Sequence, residues 1–303
     1  MKFVVLLLAL TACSFDRMTR PTPAYDTVTL DPSSVALLAV GDVHAHCGTA
    51  YPGYKTAALA RAETSALIVL VGDNAGNHGT AAEYECLHNS WGPLKARTRM
   101  VMGNHERNLD SSAKAYYDYA NGVGVDSGSA GKRGKGYYAF DYGTWRILVL
   151  NSEQAQTEQV AWVKADIAAH PVKCQLALFH KFLFTSGTTV KPATVVKQFW
   201  RALQAAGADV IVNGHDHTYQ RNAKVHWDQS RGIGVRDALG IRQFIVGTGG
   251  AYPGRLSATP SPFMENMAVA YGVLKLRLYP EHYEWRFVDI HGMTLDRGED
   301  VCH

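Results

Sequence analysis

The sequence predicts an α/β protein in which sheets and helices pack as a layered sandwich. Three observations lead there. Short, almost wholly apolar runs recur along the chain, as strands buried on both faces require. Helix-period segments lie between several of them, and the final third changes to runs that mix apolar and polar positions. With 303 residues, 47% of them hydrophobic, the chain can bury a substantial core.

The first element is not part of that core. Lys2 precedes the apolar run from Phe3 to Leu10, followed by Thr11-Ala12-Cys13-Ser14. A charged start, an apolar stretch and small residues make residues 1–12 a secretory signal, too short to span a bilayer as a helix. Leu10-Thr11-Ala12-Cys13 resembles a bacterial lipobox, which implies cleavage before Cys13 and lipid on its thiol; an ordinary signal with an incidental cysteine is the plainer alternative. Either way the sequence predicts export, as a lipoprotein on the periplasmic face of the envelope or as a secreted protein. Residues 13–34, with Pro21, Pro23 and Pro32 and no apolar periodicity, are expected to be a tether. Residues 35–303 show no repeat and no linker, and are expected to form one domain.

Within that domain the buried strands are predicted over 35–40, 66–71, 98–102, 145–150, 175–179 and 209–212. Val160, Val163 and Ile167 recur at helical spacing before Pro171; Val196, Phe199, Trp200 and Leu203 do so between Pro192 and Gly207. Trp162 and Trp200 read as core anchors on these helices. The segments 242–247, 273–278 and 283–288 suggest a second sheet. Export permits disulfides. Cys47, Cys86, Cys174 and Cys302 allow three pairings; Cys47 and Cys86 each follow a polar-cluster loop, which favours that pair and leaves Cys174 with Cys302. A net charge of +3 with scattered Lys and Arg gives no dedicated nucleic-acid surface.

Chemistry enters through five polar clusters, each directly after an apolar run: Gly41-Asp42-Val43-His44, Gly72-Asp73-Asn74, Gly103-Asn104-His105-Glu106, Phe179-His180 and Gly214-His215-Asp216-His217. A lone Asp after a strand is usually a helix cap, and a lone His there is more often structural. The conjunction offers carboxylate, amide and imidazole donors, which suit intermediate divalent and trivalent cations. It points to a two-metal site on strand-end loops, the arrangement used for phosphoryl transfer. Strand alternation would set Asp42 with His44, and His215 with His217, on common sides. Asp73 would bridge two cations, Asn104 would supply an amide oxygen and His180 an imidazole.

These motifs resemble the calcineurin-like metallophosphoesterase superfamily and are similar in phrasing to its purple-acid-phosphatase-like bacterial branch. The most specific matches are Gly103-Asn104-His105-Glu106 and the run from Gly214 to Arg221. Ser90-Trp91-Gly92, the run Gly136 to Asp141, Leu150-Asn151-Ser152 and the run Val246 to Gly250 support them, and the resemblance spans roughly residues 35 to 290. It implies a four-layer αββα sandwich of two mixed β-sheets flanked by helices, with a dinuclear metal site at strand-end loops. Asp42, His44, Asp73 and His217 are then expected to hold one metal, and Asp73, Asn104, His180 and His215 the other. The implied cofactors are two divalent or trivalent ions, Fe, Mn or Zn. Plant enzymes of this kind carry an extra N-terminal β-domain, for which this chain has no room.

One departure matters. Purple phosphatases place a Tyr three residues after the bridging Asp, where this chain has Gly76, and generally lack the His found here as His44. His44 would replace the missing phenolate, so a colourless or faintly coloured protein is expected. His105 is expected to contact phosphate or protonate the leaving group, with Glu106 orienting its imidazole; the plainer role for Glu106 is a loop cap. Asn104, His105, Lys181 and Arg221 are the candidates for binding substrate. His46 and His78, near the expected mouth, receive no role.

The activity implied is a phosphomonoesterase, acid-phosphatase-like, in which two cations activate a water for attack on a small phosphoester. Its membrane partner would be reached through lipid at Cys13. A phosphodiesterase or nucleotide-cleaving hydrolase is the alternative, separated by comparing p-nitrophenyl phosphate with its bis-ester. A non-catalytic surface lipoprotein is the reading from a different class, favoured if metal-loaded protein hydrolyses no ester.

Overall fold

The computed structural model describes residues 33–303, except 45, 46, 49, 50 and 155. The expected signal segment, Cys13, nearly all of the tether, and His46 lie outside the described residues. The chain runs through β1 (Val35–Val40), α1 (Pro52–Ala62), β2 (Leu67–Val71), α2 (Ala81–Trp91), β3 (Thr98–Val101) and α3 (Lys114–Asn121). A small hairpin, β4 (Ser127–Gly128) and β5 (Gly131–Lys132), leads to β6 (Tyr138–Tyr142), β7 (Trp145–Val149), α4 (Gln156–Ala169), β8 (Cys174–Leu178), α5 (Lys197–Ala205) and β9 (Val210–Asn213). The remainder is β10 (Tyr219–Asp228), β11 (Ile233–Arg236), β12 (Ile241–Val246), β13 (Met264–Ala268), β14 (Gly272–Leu278), β15 (His282–Asp289) and β16 (Thr294–Val301).

Two mixed sheets result. One has the order β16-β15-β14-β1-β2-β3 and the other β11-β10-β12-β9-β8-β7-β6, with β13 added against β10. The sequence suggested that the last third forms its own sheet, and this is corrected. β14 pairs antiparallel with β1, while β12 lies parallel beside β9, so each sheet takes strands from both halves of the chain. Composition records whether a strand face is buried, and that does not fix which neighbour it pairs with.

The layers follow from the period of two along each strand. Leu37 and Ala39 of β1 belong to a central core with Ile147, Val149, Leu176, Leu178 and Phe244 of the facing sheet. Leu38 and Val40 turn the other way, onto Ala57 and Ala60 of α1 and Leu87 and Trp91 of α2. In the second sheet Leu148 and Ala177 likewise turn outward, onto Val163 of α4 and Phe199, Trp200 and Leu203 of α5. Apolar on both faces, the strands form the middle of a four-layer αββα sandwich.

Helices α4 and α5 sit where the spacing placed them, and Trp200 is fully buried while Trp162 packs partly buried against Tyr137. Helices α1, α2 and α3 were not singled out. α1 buries only Gly53, Thr56, Ala57 and Ala60, which leave no large-residue stripe. α2 did carry a readable start: Thr80 caps it and Glu83 returns the bond, a reciprocal capping box. Disulfides join Cys47 to Cys86 and Cys174 to Cys302, the favoured pairing. Among the described residues no helix is long and apolar enough to cross a membrane.

Candidate metal centre

The five polar clusters meet at one edge of the two central sheets, at the ends of β1, β2, β3, β8 and β9. The local backbone explains their glycines. A Cβ at Gly103 would lie 2.2 Å from Asp73 Oδ1, and one at Gly214 would lie 2.6 Å from Asp42 Oδ2. The loops are packed so closely that only hydrogen fits there.

The expectation that strand alternation aims these side chains is corrected. Asp42, His44, Asp73 and His215 all have left-handed backbone, with φ of 56°, 49°, 50° and 70°. The chain has already left the extended conformation at these residues, and the tight turns aim the side chains. Non-glycine residues in this region are strained, and such strain gathers at functional sites.

Side chains then converge. Asp42 Oδ1 lies 3.2 Å from His217 Nε2, and Asp73 Oδ2 lies 3.2 Å from His180 Nε2 and 3.5 Å from His105 Nε2. The second oxygen of each carboxylate is fixed by a backbone N–H: His215 N donates to Asp42 Oδ2 at 2.8 Å and His105 N to Asp73 Oδ1 at 2.9 Å. His180 Nδ1 is 2.9 Å from the Val71 carbonyl and His217 Nδ1 is 2.8 Å from that of Tyr252. Donation to those carbonyls orients each ring and leaves Nε2 directed into the site, as in metal-ligating histidines. Asp73, His180 and His215 bring ligand atoms within 4.8 Å of one another.

The residues fit a cation. Asn104 Oδ1 is buried without a hydrogen-bond partner, and the buried Asp42 Oδ1 and His180 Nε2 each have only an ion-pair neighbour, His217 and Asp73, and no hydrogen bond. Buried polar atoms are normally satisfied. Electrostatics agree. Burial pulls His180 down, yet Asp73 and Asp42 overcome it and push it up to about 10. His217 is pushed up to about 9 against burial by the Asp42 carboxylate, 3.2 Å away. Burial and the neighbouring His180 take His215 down to about 4, which favours a neutral ring. Burial opposes ionisation of Asp73, but His180 and His105 hold it well below the usual carboxylate range. Two carboxylates that retain positive charge this strongly would retain metal ions by the same field.

Other expected residues are placed differently. His44 reaches the mouth, where its Nε2 meets Asn77 Oδ1 at 2.6 Å and its ring lies 5.1 Å from that of His105. Glu106 does not touch the His105 ring. It is 1% exposed and accepts from the backbone N–H of Asp73, Asn74 and Gly103, at 3.0, 2.7 and 2.6 Å. It therefore staples the β2 loop to the β3 loop, while burial and the Asp73 charge push it up to about 7. The His105 ring is held instead at Nδ1, 2.9 Å from the Asn77 carbonyl. Lys181 is paired with Glu153 at 2.6 Å. Arg221 leaves the cluster altogether: it pairs with Asp296 and Glu265 and covers the Trp285 ring. His78 lies beside Glu83, 3.6 Å away, without joining the ligands.

Gly76 explains the missing phenolate. Its φ is +53°, and a Cβ there would lie 2.1 Å from Glu83 Oε1. Glu83 fills that space while accepting from the N–H of Asn77 and Thr80.

Sequence reasoning missed two supports. Asn213, just before Gly214, donates through Nδ2 to the carbonyls of Phe179 and Lys181 and so holds both flanks of His180. Asn77 holds the His105 ring through its main-chain carbonyl, which no residue type announces, and meets His44 through its side-chain oxygen. A groove of about 880 Å³ between α2 and α3 shares His78 and Gly79 with the rim but includes none of the expected metal ligands. The centre itself is shallow, with the His105 and His217 side chains 24% and 25% exposed.

A family model described as calcineurin-like phosphoesterase matches residues 35–219. Purple acid phosphatase 15 of Arabidopsis thaliana is 26% identical over 164 residues, covering 52% of this chain and 30% of that protein. The purple acid phosphatase PPD1 from yellow lupin seeds superposes with a TM-score of 0.71 at 18% identity, covering 88% of this chain and 53% of that one. GAP50 of Plasmodium, described as the anchor in the inner membrane complex, gives 0.66 at 11% identity, covering 89% of each chain. The structural matches show the fold, and the chain spans about a third of the curated relative's length.

Proposed function

The chain belongs to the calcineurin-like phosphoesterase family, and on that premise we propose that it is an exported, acid-phosphatase-like phosphomonoesterase using two metal ions, Fe, Mn or Zn. One observation supports the reading: polar side chains from five separate loops converge, and the buried Asn104 Oδ1 among them has no hydrogen-bond partner. Asp42, His44, Asp73 and His217 would hold one ion and Asp73, Asn104, His180 and His215 the other, with Asp73 shared. His44 would exchange its Asn77 amide for the ion. When bound, the cations would neutralise phosphate charge and lower the pKa of a water for in-line displacement.

The chain's own groups do the rest. Backbone donors from His215 and His105 fix one oxygen of each carboxylate, so little reorganisation is needed as substrate arrives. His105, its ring oriented by Nδ1–H donation to the Asn77 carbonyl, would as the imidazolium present an Nε2 proton to the leaving oxygen. Lys181 and Arg221, each in an ion pair, are assigned no contact with phosphate. The proposal includes lipid attachment at Cys13 on the periplasmic face, which mass spectrometry of the mature N-terminus would test.

Metal analysis of purified protein, joined to kinetics on p-nitrophenyl phosphate and its bis-ester, tests the activity. Two equivalents of metal, faster monoester hydrolysis and little or no colour are expected. Faster bis-ester hydrolysis would make the protein a phosphodiesterase, and metal-loaded protein inert towards both would remove the enzymatic reading.

A further inference from the structure

Val123 and Leu109, 82% and 71% exposed, are the two most exposed aliphatic side chains among the described residues. Scattered apolar side chains at a surface are ordinary. These two line the same groove, whose volume of about 880 Å³ is in the range that holds small-molecule ligands. Its long wall is α2, which climbs two turns, about 12 Å, from Thr80 to His88. Opposite stands α3, whose Tyr119 ring stacks on Tyr84 at 5.1 Å and meets the edge of His88 at 6.1 Å. Most charges in the groove are engaged locally. Lys114 pairs with Asp118 and Asp110 accepts from Ser112, while Glu85 and Lys95, one of each sign, have no ion pair among the described residues. Nothing there offers a concentrated site for a charged group.

The near end of this groove is built by the two loops that hold His105. The Asn77 carbonyl accepts from Asn108 Nδ2 at 2.8 Å and stands 2.9 Å from His105 Nδ1, and the next residue on each strand of chain, His78 or Leu109, already lines the groove. A Cβ at Gly79 would lie 2.9 Å from the His105 carbonyl and 2.8 Å from that of Glu106, so the loops touch at the groove's entrance. We propose that the groove takes an apolar chain on the substrate's leaving group, so that the centre prefers phosphomonoesters of long unbranched alcohols to those of short ones. This rests on the phosphomonoesterase reading above and specifies its substrate class. The metal ligands place the phosphoryl group, His105 serves the leaving oxygen, and whatever that oxygen carries meets the opening beside His105. An alkyl chain lying along α2 covers Leu109 and Val123 and asks for no hydrogen-bond partner. Each methylene strengthens binding up to about fourfold when fully enclosed, and less in an open groove.

The test compares octyl with ethyl compounds, below the micelle concentration, on metal-loaded wild type and on a variant carrying both Leu109→Ser and Val123→Ser. Calorimetry measures binding of octylphosphonate and ethylphosphonate, and kinetics compare octyl phosphate with ethyl phosphate. Wild type is expected to favour the octyl member of each pair about 10- to 100-fold. The variant is expected to lose about 5- to 20-fold on the octyl compounds and less than about 2-fold on the ethyl ones, which also shows that it folds. An octyl-to-ethyl ratio near one in wild type, equal losses on both members, or no loss on either overturns the proposal. So does a variant that keeps the octyl preference and no longer sediments with phosphatidylglycerol vesicles, since the two side chains would then be a membrane contact. If wild type hydrolyses neither ester, the phosphatase reading falls by itself, and the calorimetric ratio still decides the role of the groove.

Discussion

Replacing Glu106 by Gln separates two roles for that carboxylate. In the structure it accepts three backbone N–H bonds that tie the Asp73 loop to the Gly103 loop. Glutamine has one carbonyl oxygen. Placed where Oε2 stands, it keeps the Asp73 and Gly103 bonds, but its NH2 then confronts the Asn74 N–H. One buried donor is left unsatisfied, at about 1–3 kcal/mol, and the two surviving bonds lose their charge assistance. The sum is about 2–4 kcal/mol, a fall in Tm of roughly 4–7 °C for a domain of this size. Because the two loops carry Asp73 and Asn104, metal affinity is expected to fall about 10- to 100-fold, as for other groups that orient ligands. Calorimetry of the apo and loaded protein and metal analysis after dialysis at fixed free metal would measure both effects. Unchanged Tm and metal content with reduced turnover would refute the staple and return Glu106 to acting on the His105 imidazole.

Asp73→Asn removes the shared carboxylate charge; metal content and turnover are expected to collapse while circular dichroism stays native, and wild-type turnover would end the bridging assignment. His105→Ala is expected to lower kcat about 10²- to 10⁴-fold with full metal content; metal loss would place His105 among the ligands. Arg221→Met is expected to leave KM for a phosphoester unchanged, since the guanidinium is engaged by Asp296 and Glu265. The same variant has a pH signature. Burial pushes Asp296 up, but hydrogen bonds from Arg221 and Tyr219 hold it below its usual value of 3.8. Its folded value being lower than its unfolded one, the pair stabilises above that usual value and loses the contribution as pH falls through the folded value. Melting curves below pH 4 should therefore fall more steeply for wild type than for Arg221→Met, and parallel curves would contradict the coupling.

The sequence made the ligand loops readable because each combines a buried strand with a glycine and a polar donor, and packing leaves little freedom there. Gly103 and Gly214 mark the positions where loops touch, and the donors beside them are what converge. Geometry inside the loops was not readable. A period of two ends where φ turns positive, so strand alternation is not what aims Asp42 and His44. Glu106 was legible as a carboxylate beside a ligand, and of its two readings the loop cap is the one whose backbone N–H partners the structure supplies. Helix α1 escaped notice because alanines, glycine and threonine fill its buried side. Sheet membership escaped because β12 and β14 share a composition and part company in their partners.

Glu83 ties the chemistry of this centre to the start of a helix. It closes the capping box of α2 and at the same time occupies the volume a side chain at position 76 would need. A side chain acquired at position 76 would have to displace that carboxylate, so occupancy beside the centre and the first turn of the helix are held by one group.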